Sequence, residues 1–211
     1  MTDTEHSDSA ALVAAWLKDE TGFEKVFNRY RRRLKQMIHL RLDRRLSGRI
    51  DADDVLQESF LDAFRKLEDY RARSAELPVF LWLRLIVAEK LIELHRVHLG
   101  TQKRNAALEV SIYRGPMPEA SSAALAAHLM GSMTSPSNAA VRAETKLKIQ
   151  DALNRMGELD REVLTLRHFE LLSNSETAGV LGISQQAASN RYIKALKRMK
   201  TLMTLIQEGQ D

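Results

Sequence analysis

The apolar residues of this chain recur at intervals of three and four. Phe23, Val26, Phe27, Tyr30, Leu34, Met37 and Ile38 form one series, Leu56, Phe60, Ala63, Phe64 and Leu67 a second, and Phe80, Leu83, Val87, Leu91 and Leu94 a third. At about 3.6 residues per turn each series falls on one stripe of a helix, which predicts three long amphipathic helices. A shorter helix is expected over 9–19, with Leu12, Val13 and Trp16 on its inner face. Strands need sustained alternation with period two, and no stretch shows it; the Asn-Gly and Asp-Gly hairpin signals are absent as well. The fold class expected is all-α.

Proline and glycine divide the chain. Three of the four prolines, Pro116, Pro118 and Pro136, fall between residues 99 and 138 together with Gly100, Gly115 and Gly131, and only five charged residues accompany them. That composition reads as a linker, in which residues 121–130 can form a helical turn or more against a groove. Four domain-level units are therefore expected: an N-terminal segment (1–20), a helical domain (21–98), the linker (99–138) and a second helical domain (139–211). Within the last, helices are expected over 139–156, 161–169, 174–181 and 185–203. Asp160 is the expected N-cap of the second of these, with Leu159 and Leu164 as a hydrophobic staple, and Ser173 with Glu176 forms a capping box for the third. So short a second domain buries only about 60% of its unfolded surface alone, which predicts modest stability.

Several function classes are excluded early. The chain has no cysteine, so disulfides, thiolate metal sites and cysteine nucleophiles are out. The first ten residues carry Asp3, Glu5 and Asp8 and no basic residue, unlike a secretory or transit leader. The longest apolar run, 79–88, is interrupted by Arg84 and falls well short of the roughly 20 residues that span a bilayer. A cytoplasmic protein with no membrane association is expected. His95 and His98 lie three apart without a third ligand at metal-binding spacing, and no glycine-rich phosphate loop or nucleophile elbow is present. No catalytic residue, metal or cofactor is expected, and the chain does not read as an enzyme.

The net charge of +4 is too small to indicate nucleic-acid binding, but the charge is unevenly distributed. Residues 184–200 contain Arg191, Lys194, Lys197, Arg198 and Lys200 and no acid. This segment follows Gly182, suited to a left-handed helix end, and Ser184, suited to capping the next helix, so 174–200 reads as a helix-turn-helix. The apolar series Ala188, Tyr192, Leu196, Met199 and Met203 is expected to face the core. Gln185, Gln186, Ser189 and Asn190 then point outward toward base edges, with Arg191, Lys194 and Lys197 toward phosphates.

The first domain partitions its charge more sharply. Residues 29–49 hold nine basic residues against Asp43, and residues 50–69 hold seven acids against Arg65 and Lys66. Such blocks either pair with one another across a helical hairpin or face separate partners. On the second reading, Asp53, Asp54, Val55, Leu56, Gln57 and Glu58 form a mixed apolar and acidic surface for a protein partner. The basic block then faces nucleic acid or the body of that partner. Further on, Tyr70 and Trp82 are interleaved with Arg71, Arg73, Arg84 and Arg96, a pattern that fits a single-stranded nucleic-acid surface. Phe23, Phe27, Phe60 and Phe64 read as core.

Taken together, the stretch from residue 21 to 205 resembles the sigma-70 family of bacterial RNA polymerase initiation factors, in its small extracytoplasmic-function form. The resemblance lies in Asp53-Asp54-Val55-Leu56-Gln57-Glu58-Ser59-Phe60, in Trp82-Leu83 with Ile86, Glu93 and Arg96, in Leu159-Asp160-Arg161-Glu162-Val163, and in 173–198. It implies that residues 53–58 dock on the polymerase. It implies further that Tyr70, Arg71, Arg73, Trp82, Arg84, Glu89 and Arg96 serve minus-ten recognition and melting, and that the helix-turn-helix reads the minus-thirty-five element. The implied partners are core RNA polymerase and promoter DNA, with an anti-sigma protein open as a third. This chain departs from the family pattern in having Leu77-Pro78-Val79 where Gly and Phe are common, Glu89 where Asn is usual, and Glu93 in place of Asp. The residues taken alone also suit a stand-alone helix-turn-helix regulator binding duplex DNA as a dimer, or a helical adaptor.

Overall fold

Helix formation in the first half follows the apolar stripes. The computed structural model of the chain describes residue 16 and residues 22–46, 48–74, 77–99, 120–132 and 139–208. Four helices come first: α1 (Phe23–Arg41), α2 (Ala52–Arg65), α3 (Leu67–Arg73) and α4 (Val79–Leu99). Asp51 caps α2, its side chain accepting the Asp53 N–H, and Asp53 and Asp54 place negative charge in the first turn, where the helix dipole favours it. Helix α4 begins at Pro78, whose carbonyl accepts the first helical bond, from Trp82 N–H. Its apolar run is buried on every side through Ala88, so the run that is too short for a membrane becomes the central helix of a bundle, packed on α1 and α2.

Of the helix expected over 9–19 only Trp16 lies within the described residues; it is helical and fully buried. A side chain at residue 22 would meet the Trp16 Cβ at 3.0 Å, so Gly22 lets the indole approach α1 closely. There Trp16 joins an aromatic cluster. It stacks on Tyr70 and Trp82 with ring centroids 5.7 and 6.5 Å away, and Phe23, Phe27 and Phe60 pack beside them.

The second half contains α5 (Ser122–Ser132), α6 (Ala139–Arg155), α7 (Glu158–Leu164), one π-helical turn (Thr165–Phe169), α8 (Asn174–Leu181) and α9 (Gln185–Gln207). Residues 100–119 and 133–138 of the expected linker lie outside the described residues. The part that is described is helix α5, three turns long and seated in a groove: Leu125, Ala126 and Met130 pack with Leu40 from α1 and with Ile149, Leu153 and Phe169. Asp160 does not cap α7. The helix starts earlier, at Gly157, whose carbonyl accepts from Asp160 and Arg161, and Asp160 sits in the first turn.

The two halves share their cores. Val163, Leu166, Leu172, Val180 and Leu181 belong to the cluster built by α1, α2 and α4, while Leu40 belongs to the cluster of the second half. The backbone N–H of Ser121 donates to the carbonyl of Leu40 at 3.0 Å, tying α5 to the end of α1.

Candidate nucleic-acid and protein interfaces

The helix-turn-helix is set by local chemistry. The Ser173 hydroxyl accepts from Glu176 N–H at 3.1 Å and the Glu176 carboxylate accepts from Ser173 N–H at 2.7 Å, completing the capping box. Gly182 ends α8 at φ 64°, and the Ile183 N–H returns to the Ala178 carbonyl at 3.0 Å, a closure that needs the left-handed residue. Ser184 then caps α9 through Ala187 N–H, and the Asn174 amide donates to the Gln185 carbonyl at 2.8 Å, fixing the start of one helix to the start of the other.

Gln185, Gln186, Asn190, Lys194 and Lys197 are exposed on α9, and Ser189 and Arg191 are half-buried. Gln186 donates to Asn190 at 3.3 Å, which holds two amide side chains side by side on the outer face. The inward line differs from the expected one: Ala188 and Ala195 are fully buried, with Tyr192 and Met199 between and beyond them, whereas Leu196 is exposed. Spacings of four, three and four from 188 keep the line straight along the contact, and residue 196 falls one step off it.

On α2 the expected surface separates into two faces. Asp53, Asp54, Gln57 and Glu58 reach solvent, but Val55 and Leu56 are buried, Leu56 completely. The stripe Ala52, Val55, Leu56, Ser59 and Ala63 faces the bundle, which corrects the expectation that Val55 and Leu56 belong to a surface. The apolar part of the exposed face is supplied by Leu61 and Phe64. Asp53 is bound by Lys35 and by Arg31, the latter at 2.9 Å, and these bonds hold its carboxyl below the usual carboxylate range. Part of the basic block therefore pairs with the acidic block across the α1–α2 hairpin.

The seven residues expected at a single-stranded surface are dispersed. Tyr70 and Trp82 stack 4.2 Å apart and are buried at 3% and 8% exposure, and the Tyr70 hydroxyl donates to the Leu77 carbonyl at 2.9 Å. Burial raises the Tyr70 hydroxyl well above its ordinary pKa. Arg84 is buried too, two residues and so about 200° around the helix from Trp82. Neither the aromatic pair nor Arg84 lies at a surface in this arrangement, because α3 and α4 pack their stripes into the bundle. Glu89 and Arg96 are exposed on the turns that follow Trp82 at seven-residue spacing, and Glu89 is paired with Lys66 at 2.6 Å. Arg71 is half-buried and bonds Glu68 at 2.6 Å. Arg73 closes α3, and its side chain is outside the described residues.

What the sequence reading missed is a buried ion cluster between the halves. Glu170, 1% exposed, accepts from Arg41 Nε at 2.6 Å on one oxygen and from Arg84 Nε at 2.8 Å on the other. Arg41 also donates to Glu162 at 2.7 Å. Beside it, Arg33 donates to the Leu171 carbonyl at 3.0 Å and to Glu176 at 3.3 Å, with its guanidinium 3.6 Å above the Phe80 ring. Burial pushes the Glu170 carboxyl up, but Arg41 and Arg84 pull it down further, so it lies below the usual range. Burial likewise opposes the Arg41 charge, and Glu162 and Glu170 outweigh it. A signal for this existed. Arg84 interrupts an apolar run, Arg41 continues the stripe of Leu34 and Ile38, and Glu170 lies between Phe169 and Leu171; a charge on a buried stripe requires a buried counter-charge.

His95 accepts the Asp43 N–H at 3.1 Å, a structural role at the end of α1, and His98 is exposed. Among the described residues no group of three or more His, Asp or Glu is arranged to hold a metal ion, and no helix is long and apolar enough to cross a membrane.

A family model described as Sigma-70, region 4 matches residues 146–199, from α6 through most of α9. The ECF RNA polymerase sigma factor SigM of Mycobacterium tuberculosis is 27% identical over 205 residues, covering 97% of this chain and 89% of that protein. Along almost its whole length the chain is thus similar to a sigma factor, and over residues 146–199 to region 4 of the sigma-70 family. The RNA polymerase sigma-H factor of Pseudomonas aeruginosa is a further relative, 24% identical over 214 residues, with 98% of this chain and 99% of that protein covered. Among solved structures, that of CnrH in complex with the cytosolic domain of CnrY has a TM-score of 0.51 and 20% identity, covering 92% of this chain and 96% of that chain, a likeness of fold.

Proposed function

We propose that the chain is an RNA polymerase sigma factor: it binds core polymerase and directs promoter-specific, DNA-templated transcription initiation. One observation carries most weight. The segment that matches region 4 folds as a capped helix-turn-helix with Gln185, Gln186 and Asn190 exposed at the start of its second helix, and Lys194 and Lys197 exposed beyond them. Amide side chains suit adenine edges in the major groove, and the cations suit phosphates. We assign this face to the minus-thirty-five element. Asp53, Asp54, Gln57 and Glu58 then form the polymerase-docking face of α2. The exposed Glu89 and Arg96 remain for the minus-ten strand, while Tyr70 and Trp82 act there as the packed support of α3 and α4.

These roles are binding roles, and the reading assigns no catalytic residue. The site of action is the cytoplasm, where polymerase and promoters meet. Because the solved CnrH carries the cytosolic domain of a second protein, we include an anti-sigma protein among the partners. Similarity along the whole chain to sigma factors favours this reading over a stand-alone regulator.

The test is co-purification with core RNA polymerase, wild type beside Asp54→Arg, followed by transcription from fragmented genomic DNA. Stoichiometric binding that Asp54→Arg weakens, with new start sites, is expected. Duplex DNA binding by the chain alone, with no polymerase binding, would move the answer to the stand-alone regulator.

A further inference from the structure

Ile193 stands on the wrong side of its helix for a core residue. It is 47% exposed, in the middle of α9, whose inward line is Ala188, Tyr192, Ala195 and Met199. At about 100° per residue it projects about 140° from Ala188 and about 160° from Ala195, so the domain's own core does not reach it. It lies instead within about 60° of Gln186, Asn190 and Lys197, at the centre of the exposed face. An isoleucine there gains nothing for the helix: its branched Cβ lowers helix propensity, and its apolar surface stays in water. The branching leaves essentially one χ1 rotamer, which makes the side chain a stiff apolar knob.

What surrounds Ile193 restricts what can cover it. Lys194 and Lys197 are exposed beside it, and residues 184–200 contain no acid. The cover is therefore a polyanion that presents apolar points among polar edges. Duplex DNA is such a surface: in the major groove thymine shows its C5-methyl group, beside its own O4 acceptor and the N7 and N6 groups of the paired adenine. The spacing agrees. Ile193 follows Asn190 by about 4.5 Å along the helix axis, close to the base-pair step of about 3.4 Å. The amide one turn back is already oriented, because Gln186 donates to Asn190 Oδ1 at 3.3 Å. The Asn190 NH2 group and the second lone pair of its oxygen are left to meet an adenine edge.

We propose that Ile193 is a specificity-determining residue of the recognition helix: its side chain packs on a thymine C5-methyl within one base-pair step of the adenine read by Asn190. The inference rests on the sigma-factor reading and adds to it a base preference, an adenine and a thymine side by side in the minus-thirty-five element. Contacts to phosphates supply affinity without carrying sequence. The methyl contact discriminates, since thymine alone among the four bases carries that group in the major groove.

Uracil differs from thymine only in lacking the C5-methyl, so it probes the contact without altering the protein. The start sites obtained with core polymerase supply the promoter duplex, and each thymine of its minus-thirty-five element, on either strand, is replaced in turn by uracil. At one of them the wild-type chain bound to core polymerase is expected to hold the duplex about fourfold more weakly, the worth of one buried methyl. Ile193→Ala, an exposed change that should keep wild-type helicity, is expected to hold the unmodified duplex about fourfold more weakly or worse and to be indifferent to uracil at that position. Equal uracil sensitivity of wild type and Ile193→Ala at every thymine overturns the proposal, as does wild-type promoter affinity in Ile193→Ala. Weaker binding of Ile193→Ala to core polymerase without DNA, with uracil having no effect, makes the residue a protein contact and overturns it too. If the wild type binds no polymerase, the sigma-factor reading fails by itself, and the same uracil scan on duplexes selected by the chain alone decides Ile193. A chain that selects no duplex overturns both.

Discussion

Leu56→Ala and Gln57→Ala, neighbours on α2, should have opposite consequences. Leu56 is 0% exposed and lies in the cluster that holds Phe23, Phe27 and Leu83, whereas Gln57 is exposed one residue on. Truncating a fully buried leucine removes its transfer free energy and leaves a cavity, together about 2.7–5 kcal/mol. For a chain of this size each kcal/mol lowers the melting temperature by about 2–4 °C, so Leu56→Ala should melt about 10 °C below wild type. Gln57→Ala should stay within about 0.5 kcal/mol of wild type, as a surface change does. Polymerase affinity should reverse the order: below the melting range of both, Gln57→Ala weakens binding and Leu56→Ala binds in proportion to its folded fraction. Thermal melts followed by circular dichroism, paired with a polymerase titration, separate the two. A Leu56→Ala chain melting within about 2 °C of wild type would refute the assignment of α2's inner face.

Three further outcomes are expected. If Arg191, Lys194 and Lys197 each neutralise one phosphate, the log affinity of the polymerase-bound chain for a minus-thirty-five duplex should lose about 2.7 from its slope against log salt when all three become alanine; an unchanged slope removes them from the DNA. Gly182→Ala places a Cβ at φ 64°, which should cost about 1–2 kcal/mol, read as a lower melting temperature; no loss would mean that the turn is not fixed as described. His128 and His95 are held below the ordinary histidine pKa, chiefly by burial, with Gln36 at 2.8 Å from His128 and the Asp43 N–H donating to His95. The unfolded chain therefore binds protons that the folded chain refuses. Stability is full above about pH 6.5 and falls as the pH drops from there toward the folded values. Melts at stepped pH check this, and His128→Gln should flatten part of the slope.

The helix-turn-helix was legible because everything that shapes it is local. Ser173, Glu176, Gly182 and Ser184 act within four residues of themselves, and α8 spans the expected Asn174–Leu181. Periodicity likewise located α1, α2 and α4, since a stripe marks which side of a helix is buried. It does not mark what buries it. Tyr70 and Trp82 read as a nucleic-acid surface because aromatics among arginines look alike whether they await a base or stack on each other; only the docking of α3 on α4, with Trp16 closing over both, distinguishes the cases. Arg41 and Glu170 are 129 residues apart, beyond any local rule. The basic block divides its work: Arg31 and Lys35 pair with α2, as the hairpin reading has it, while Arg33 and Arg41 hold the second half, which neither reading included.

The Trp16–Trp82 contact governs how this molecule reports on itself optically. The chain has two tryptophans, and both lie in the one stack with Tyr70, their rings 6.5 Å apart inside the first half. All of its indole fluorescence thus originates in a single solvent-shielded cluster, so a change in emission reports on the packing of Trp16 and Trp82 and not on the recognition helix, which holds no tryptophan.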